Sequence, residues 1–227
     1  MLSGGVVIWG GRGHAKVLRD ALELTGKRVV AIIDKNTGLP SPFFDLEIFY
    51  GERGLREFLA SSRHQKRDKS FGAVVAIGGA NGEDRADCYE LMKKMGLKIE
   101  TVIHPSAVVA KSARFGTGTQ ILGHAFIGSA VRLGDFCIVN SGAIVDHDCK
   151  LGRGVHIAPG AVVTGEIEIG DYSFVGANST ILPGLKLGER AIVGAGSVVT
   201  RDVPSGSTVV GSPATNFLKP SAKKKGN

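Results

Sequence analysis

An aliphatic or aromatic residue occupies every sixth position of this chain from Ile103 to Val199. Apolar residues make up 43% of the composition, so seventeen consecutive matches would arise by chance in roughly one register in a million. A repeat of six does not fit the 3.6-residue period of a helix, and the segment is rich in Gly and β-branched residues. The repeat therefore predicts short strands separated by turns, stacked as a parallel β-helix. The repeated positions are Ile103, Val109, Phe115, Ile121, Ile127, Leu133, Val139, Val145, Leu151, Ile157, Val163, Ile169, Val175, Ile181, Leu187, Val193 and Val199.

A second column of mostly small residues lies four positions after each of these, from Ala107 to Ala161. One large and one small inward residue per hexad suit a narrow packed interior. Three hexads make one triangular coil, so residues 103–204 supply between five and six coils. A stable stack needs about three. We expect an all-β domain over residues 103–218.

The first hundred residues have a different pattern, in which buried strands alternate with helices. An apolar run ends in a glycine turn, a helical pattern follows as far as Leu24, and a second apolar run ends at Asp34. This strand, turn, helix, strand order predicts a Rossmann-like α/β domain over residues 1–102. The predicted strands are 6–9, 29–33, 73–77 and 98–102, and the predicted helices lie near 14–24, 55–60 and 83–95.

The glycine turn after the first strand is suited to phosphate binding. Gly11 and Gly13 would allow backbone N–H groups to approach a phosphate at the start of the helix. The dinucleotide fingerprint requires Gly or Ala where Lys16 stands, and the domain is too short for two mononucleotide halves. The turn thus favours a single nucleotide over NAD, with a merely structural tight turn as the alternative.

Charge and cysteine content exclude several classes of function. The net charge of +7 comes largely from residues 63–69 and from a basic tail over residues 219–227, and no set of stacking aromatics accompanies it. We therefore expect anionic small ligands and no nucleic acid. No long apolar segment or leader peptide is evident, which favours a cytoplasmic protein without membrane contact. Cys88, Cys137 and Cys149 are interpreted as core residues, and no metal-site spacing is present.

His147 is the candidate for catalysis because it projects outward at a corner between Asp146 and Asp148. A neighbouring carboxylate can hold an imidazole in one tautomer and raise its basicity, as a general base requires. A polar surface turn is the alternative interpretation. His156 lies half a coil further on, so the two histidines can share a cleft only if subunits combine around a threefold axis. Gly165, one full coil after His147, should stack on it at about 4.8 Å with an exposed N–H.

The hexads, the turn Gly10-Gly11-Arg12-Gly13-His14-Ala15-Lys16-Val17 and the His147-Asp148 pair together resemble a known family. They are similar to the left-handed β-helix acetyltransferases that acetylate nucleotide-linked 4-amino sugars, a group with relatives named for sialic acid O-acetylation. The resemblance covers residues 6–218. It implies a homotrimer with acetyl-CoA as cosubstrate, His147 as general base and Asp148 as its orienting acid, although Asp146 is equally near in sequence.

The resemblance also assigns ligand contacts. For acetyl-CoA it implies His156, Gly165, Ala177 and Ala195, and for the nucleotide sugar Gly11, Gly13, His14, Asp34, Lys35, Gly79, Asn81 and Asn140. Thr215 replaces a basic residue of the family's closing turn, which leaves phosphate contacts there open. The sequence thus predicts an N-acetyltransferase acting on an amino sugar linked to a nucleotide. The alternatives are O-acetylation of a sugar such as sialic acid and a non-catalytic trimeric module.

Overall fold

The computed structural model describes residues 5–63 and 70–217. The predicted basic tail, residues 219–227, lies outside them. The first domain is a parallel sheet of strand order β3-β2-β1-β4-β5 with three helices. Its elements are β1 Val6–Trp9, α1 Gly13–Leu24, β2 Val29–Asp34, β3 Ile48–Tyr50, α2 Gly51–Arg63, β4 Gly72–Val75, α3 Gly82–Lys94 and β5 Lys98–Ile99. Because the strand order reverses between β1 and β4, a crevice forms beyond their carboxyl ends.

Two elements of this domain differ from the sequence prediction. Residues 48–50 lie outside the strands and helices that the sequence predicts, but they form β3, which pairs in parallel with β2 at the sheet edge. A half-buried strand of three residues is too short to produce a period-two pattern. Helix α2 is also longer than predicted, because its glycines suggested a loop. At Gly54 an added Cβ would lie 2.9 Å from the carbonyl carbon of Phe49, so the residue type is needed for close packing.

The second domain is a parallel β-helix that begins with β6. Seventeen two-residue strands, β6 to β22, pair in parallel with strands 18 residues away and form three sheets. They are β6 Val102–Ile103, β7 Val108–Val109, β8 Arg114–Phe115, β9 Gln120–Ile121, β10 Phe126–Ile127, β11 Arg132–Leu133, β12 Ile138–Val139, β13 Ile144–Val145, β14 Lys150–Leu151, β15 His156–Ile157, β16 Val162–Val163, β17 Glu168–Ile169, β18 Phe174–Val175, β19 Thr180–Ile181, β20 Lys186–Leu187, β21 Ile192–Val193 and β22 Val198–Val199, followed by β23 Thr208–Gly211 and β24 Ala214–Asn216.

The predicted inward columns form the core of this domain. Every repeated aliphatic from Ile121 to Val199 is at most 5% exposed, whereas Ile103, Val109 and Phe115 in the first coil are only partly buried. Each corner of the β-helix turns through one residue of positive φ, at every sixth position from Gly118 to Gly196, with φ between 54° and 72°. Eight of these fourteen residues are not glycine. Since L-residues rarely adopt this conformation, packing of successive coils must hold them in it.

The three sheets differ in the side chains that point away from the core. The docking sheet (β6, β9, β12, β15, β18, β21, β23 and β24) carries Gln120, Ile138 and His156, which are buried. The apolar sheet (β7, β10, β13, β16, β19 and β22) carries Val108, Phe126 and Ile144, which are 60%, 38% and 37% exposed. The charged sheet (β8, β11, β14, β17 and β20) carries Arg114, Arg132, Lys150, Glu168 and Lys186. One face is therefore covered, one is open and apolar, and one is solvated.

Helix α3 fixes the first domain on the β-helix. The buried Arg85 guanidinium donates from Nε to the Phe136 carbonyl at 2.9 Å and from Nη2 to the Gly154 carbonyl at 2.6 Å. Its Nη1 donates to the Ile77 carbonyl at 2.9 Å, just beyond β4. One cation thus joins two successive coil turns to the crevice of the α/β sheet.

Candidate active site

A cavity of about 580 Å³ occupies the crevice at the carboxyl ends of β1, β2 and β4. Five of the residues predicted to contact the nucleotide sugar line it, namely Gly11, His14, Asp34, Lys35 and Asn81. The segments that carry them are far apart in sequence and meet because the parallel strands end at one edge. The size is in the range of small-molecule sites.

Asp34 shapes the glycine turn of this cavity. Its Oδ2 accepts a hydrogen bond from the Gly11 N–H at 2.7 Å, and its Oδ1 accepts one from the Asn36 N–H at 2.9 Å. Gly13 is the first residue of α1 and has open space around it. The backbone at the start of α1 is therefore accessible to a ligand.

His156 and Asn140 from the β-helix meet the first domain beside this cavity. The His156 Nδ1 lies 3.2 Å from the Gly79 carbonyl, and its Nε2 lies 3.3 Å from the Asn140 Nδ2. The Asn140 Oδ1 accepts from the Ser141 N–H, so the amide nitrogen faces the ring. The imidazole consequently donates from Nδ1 and accepts at Nε2. Burial, reinforced by the nearby Arg85 cation, lowers the pKa of His156 to about 3, so this ring is neutral.

His14 lies in the same region, with its Nε2 donating to the Gln120 Oε1 at 2.8 Å. Burial lowers the pKa of His14, while the hydrogen bond to Gln120 partly opposes the shift. The structure thus groups His14 and His156 on the first-domain side of the molecule. The His156 ring makes its hydrogen bonds and its aromatic contact with Asn140, Gly79 and Phe174, and none with Gly165, Ala177 or Ala195, the other residues predicted to contact acetyl-CoA.

His147 stands at the corner after β13, between the apolar and charged sheets. Its Nδ1 lies 3.0 Å from the Asp148 Oδ2, whereas the Asp146 Oδ1 accepts from the His147 backbone N–H at 2.7 Å. Asp148 is therefore the acid that contacts the ring, and Asp146 shapes the turn. The hydrogen bond to Asp148, with smaller effects of Asp146 and Glu166, raises the pKa of the exposed His147. A solvent-exposed imidazole with one nitrogen held by a carboxylate has its Nε2 available to accept a proton.

Gly165 lies directly against the His147 ring, as the 18-residue spacing predicted. An added Cβ would come within 2.5 Å of the His147 Nε2. The residue as a whole is buried against the ring, whereas the prediction concerned its N–H group. Among residues 5–63 and 70–217, none accepts a hydrogen bond from the Gly165 N–H. The candidate general base, His147, and the unpaired N–H group of Gly165 therefore lie at the same corner of the β-helix.

Ala177 and Ala195 stack at a different corner, between the docking and apolar sheets, where the Gly196 N–H donates to the Ala177 carbonyl. Within one chain, His147 and the cavity therefore lie on different faces. Sequence reasoning missed Gln120, Arg85 and Arg12, of which Arg12 lines the cavity. Gln120 could have been noticed because it is a polar residue at an outward position whose neighbours 18 residues before and after, Val102 and Ile138, are apolar.

The part of the chain that the structure describes lacks both a metal-binding cluster and a membrane-spanning helix. It contains no group of three or more His, Cys, Asp or Glu side chains arranged to hold a metal ion. None of its helices combines the length and hydropathy needed to cross a bilayer.

Both domains match known families. Residues 5–91 match the PglD N-terminal domain, and residues 130–165 and 166–201 match the bacterial transferase hexapeptide (six repeats). Comparison with curated proteins gave no significant match.

Several solved structures are similar over nearly the whole chain. A histidine-to-asparagine mutant of perosamine N-acetyltransferase from Caulobacter crescentus, in complex with CoA and GDP-perosamine, is 34% identical with a TM-score of 0.86, covering 96% of this chain and 98% of that one. The acetyltransferase domain of PglB from Neisseria gonorrhoeae is 30% identical with a TM-score of 0.81, covering 93% and 98%. WeeI from Acinetobacter baumannii is 27% identical with a TM-score of 0.81, covering 95% and 100%.

Three findings indicate the same family: the Rossmann-like first domain, the uninterrupted hexads, and the 34% identity to a relative over nearly the whole chain. The chain belongs to the left-handed β-helix family of sugar acetyltransferases.

Proposed function

We propose that this acyltransferase moves the acetyl group of acetyl-CoA to the amino group of a nucleotide-linked 4-amino-deoxy sugar, with His147 as general base. The relative crystallised with CoA and GDP-perosamine, and the PglB domain crystallised with acetyl coenzyme A, support both ligand classes. The first domain, residues 1–102, would hold the nucleotide sugar, and the β-helix, residues 103–218, would hold acetyl-CoA.

The observation that carries this proposal is the shared corner of His147 and Gly165. The amine nitrogen attacks the thioester carbonyl carbon and passes its proton to the His147 Nε2, while Asp148 stabilises the resulting imidazolium. The unpaired Gly165 N–H donates to the carbonyl oxygen as it becomes an oxyanion. Collapse of the tetrahedral intermediate breaks the C–S bond and releases CoA, whose sulfur takes up the proton.

The cosubstrate arm would follow the corner marked by Ala177 and Ala195, whose small side chains leave a groove along the stack. His156 would contact the acetyl group next to the amino sugar. The nucleotide sugar would be surrounded by Gly11, Gly13, His14, Asp34, Lys35, Gly79, Asn81 and Asn140.

We assign the active site to a homotrimer, because His147 and the cavity lie on different faces of one chain. The apolar sheet leaves Val108, Phe126 and Ile144 exposed in one row, and contiguous apolar patches of this kind mark protein interfaces. A second copy of the chain packed on this sheet would bring its cavity towards the neighbouring His147 corner.

The first test measures thiol release from acetyl-CoA with UDP-, GDP- and dTDP-linked amino sugars and with sialic acid as a non-amino acceptor. We expect turnover with one amino-sugar nucleotide. Preference for the non-amino acceptor would favour O-acetylation, and the absence of release with every acceptor would favour a non-catalytic module.

The second test asks whether the active site is composite. Chains carrying His147→Ala are coexpressed with chains carrying Gly11→Trp, whose side chain would fill the cavity, so that neither variant is active by itself. In a mixed trimer one site of three combines an intact His147 with an intact cavity from the neighbour, so purified mixed trimers should have about one third of the wild-type activity. If the mixture stays inactive although mixed trimers are isolated, the composite site is wrong.

A further inference from the structure

Gln120 connects the β-helix to the cavity through a side chain whose orientation is fixed. Its amide Nε2 donates to the Val75 carbonyl at 2.8 Å and lies 3.1 Å from the Tyr89 Oη. Because a carbonyl oxygen can only accept, this end of the amide must be the NH₂ group. The opposite end, the Oε1, therefore faces His14.

This orientation determines the protonation of the His14 ring. The Gln120 Oε1 can only accept, so the His14 Nε2, 2.8 Å away, must carry a hydrogen. Burial favours the neutral imidazole, which then has no hydrogen on Nδ1. No residue in the described ranges makes a hydrogen bond to this nitrogen, and His14 lines the cavity.

The tautomer is anchored at both ends. Tyr89 is fully buried and donates from its Oη to the Gly118 carbonyl at 3.1 Å, which leaves the Oη lone pairs to accept from Gln120. Gln120 itself is also fully buried. Reversing the amide would set its oxygen against the Val75 carbonyl oxygen, two acceptors with no hydrogen between them, so only one arrangement satisfies every group.

We propose that Gln120 is a positioning residue that locks His14 as the Nε2–H tautomer, so that its Nδ1 accepts a hydrogen bond from a hydroxyl or amine of the sugar nucleotide. An acceptor at this point selects against a phosphate oxygen, which would repel the Nδ1 lone pair. The phosphates are thereby directed to the backbone N–H groups at the start of α1. The identity of the ligand rests on the proposed function, whereas the tautomer does not.

The tautomer can be measured without ligand or catalysis. Solid-state ¹⁵N NMR of sedimented protein, labelled at histidine, distinguishes the two ring nitrogens, and the signals of His14 are assigned by their loss in His14→Gln. We expect a protonated Nε2 and an unprotonated Nδ1. A protonated Nδ1, or an even mixture of tautomers, would overturn the proposal.

Kinetics then test the consequence for binding. Gln120→Met should raise the KM for the sugar nucleotide roughly threefold to tenfold, the effect of one neutral hydrogen bond, with the KM for acetyl-CoA within about twofold. Ile138→Met changes the next outward position of the docking sheet, whose apolar side chain makes no hydrogen bond to His14, and should leave both KM values unchanged. An unchanged sugar-nucleotide KM in Gln120→Met, with the fold intact, would contradict the positioning role.

The donor group could belong to the nucleoside or to the sugar, and binding of the nucleoside diphosphate without the sugar distinguishes the two. If Gln120→Met weakens binding of GDP, UDP or dTDP alone, the donor is on the nucleoside. If only the complete sugar nucleotide is weakened, the donor is on the sugar. Should the wild-type protein bind none of these compounds, the proposed function fails while the NMR result stands.

Discussion

Replacing Gly165 by alanine should displace the His147 ring while leaving the imidazole and its partner Asp148 chemically unchanged. The new Cβ would lie 2.5 Å from the ring Nε2 and 2.6 Å from its Cε1, and the φ of Gly165 is not positive, so the backbone accepts alanine. Non-bonded heavy atoms prefer about 3.5 Å, so the ring must move by about 1 Å. Misplacement of this size can reduce turnover about 100-fold, or about 2.7 kcal/mol in the activation barrier.

The assay is thiol release at saturating acetyl-CoA and sugar nucleotide, accompanied by a crystal structure of the variant. Gly123→Ala is the matched control, because Gly123 occupies the same position of its hexad beside another histidine. Its added Cβ would lie 3.7 Å from the nearest His104 ring atoms, at ordinary contact distance. We expect the control to keep wild-type turnover. If Gly165→Ala displaces the ring and its kcat stays within about threefold of wild type, the general-base assignment is refuted.

Three further predictions concern titratable groups. His147→Ala should lower kcat at least about 100-fold in the same assay, the scale of general-base removal. Asp148→Asn keeps a residue type that tolerates the positive φ of 59° but removes the charge that raises the pKa of His147. Its kcat/KM should therefore decline at lower pH than that of the wild type, and an unmoved acid limb would contradict the pairing. His156 has a lower pKa in the folded protein than in the unfolded chain, so its contribution to stability is complete above pH 6.5 and is lost as the pH falls towards 3. At pH 5 this one group should account for about 2 kcal/mol of lost unfolding free energy, so urea titrations at fixed protein concentration should find a correspondingly smaller loss in His156→Gln.

The sequence alone predicted the β-helix because its interior imposes a strict demand. Each hexad must supply one large and one small inward side chain, and a single polar replacement at a position such as Val145 would be visible in the repeat. The stacking of Gly165 on His147 followed from the same spacing. Local periodicity is a strong signal when every repeat buries the same positions.

The sequence also distinguishes the three outer faces of the β-helix. The residue before each inward aliphatic points outward, and at intervals of 18 these residues give Val108, Phe126 and Ile144 on one face. The charged face begins with Arg114 and Arg132 at the same interval. Reading the outward residues in this way would have indicated the apolar sheet.

Contacts between the domains could not be predicted in the same way. Arg85 bonds to carbonyls 51 and 69 residues away, and no periodicity records which turn a helix will meet. The choice between Asp146 and Asp148 as the partner of His147 likewise depended on backbone geometry. Only Asp148 has the positive φ, and its carboxylate reaches the ring.

The attachment of α3 to the β-helix has a consequence for the order of events during turnover. Swinging the first domain away would break the hydrogen bonds from Arg85 to the Phe136 and Gly154 carbonyls, which are worth about 1.5–3 kcal/mol each. A clamshell closure over the substrate is therefore too costly, and the radius of gyration from X-ray scattering should be the same with and without sugar nucleotide. The cavity must already have its final shape when a ligand arrives. Selection among sugar nucleotides then takes place at the first encounter, by fit to a preformed site, without a conformational change that the correct substrate alone can drive.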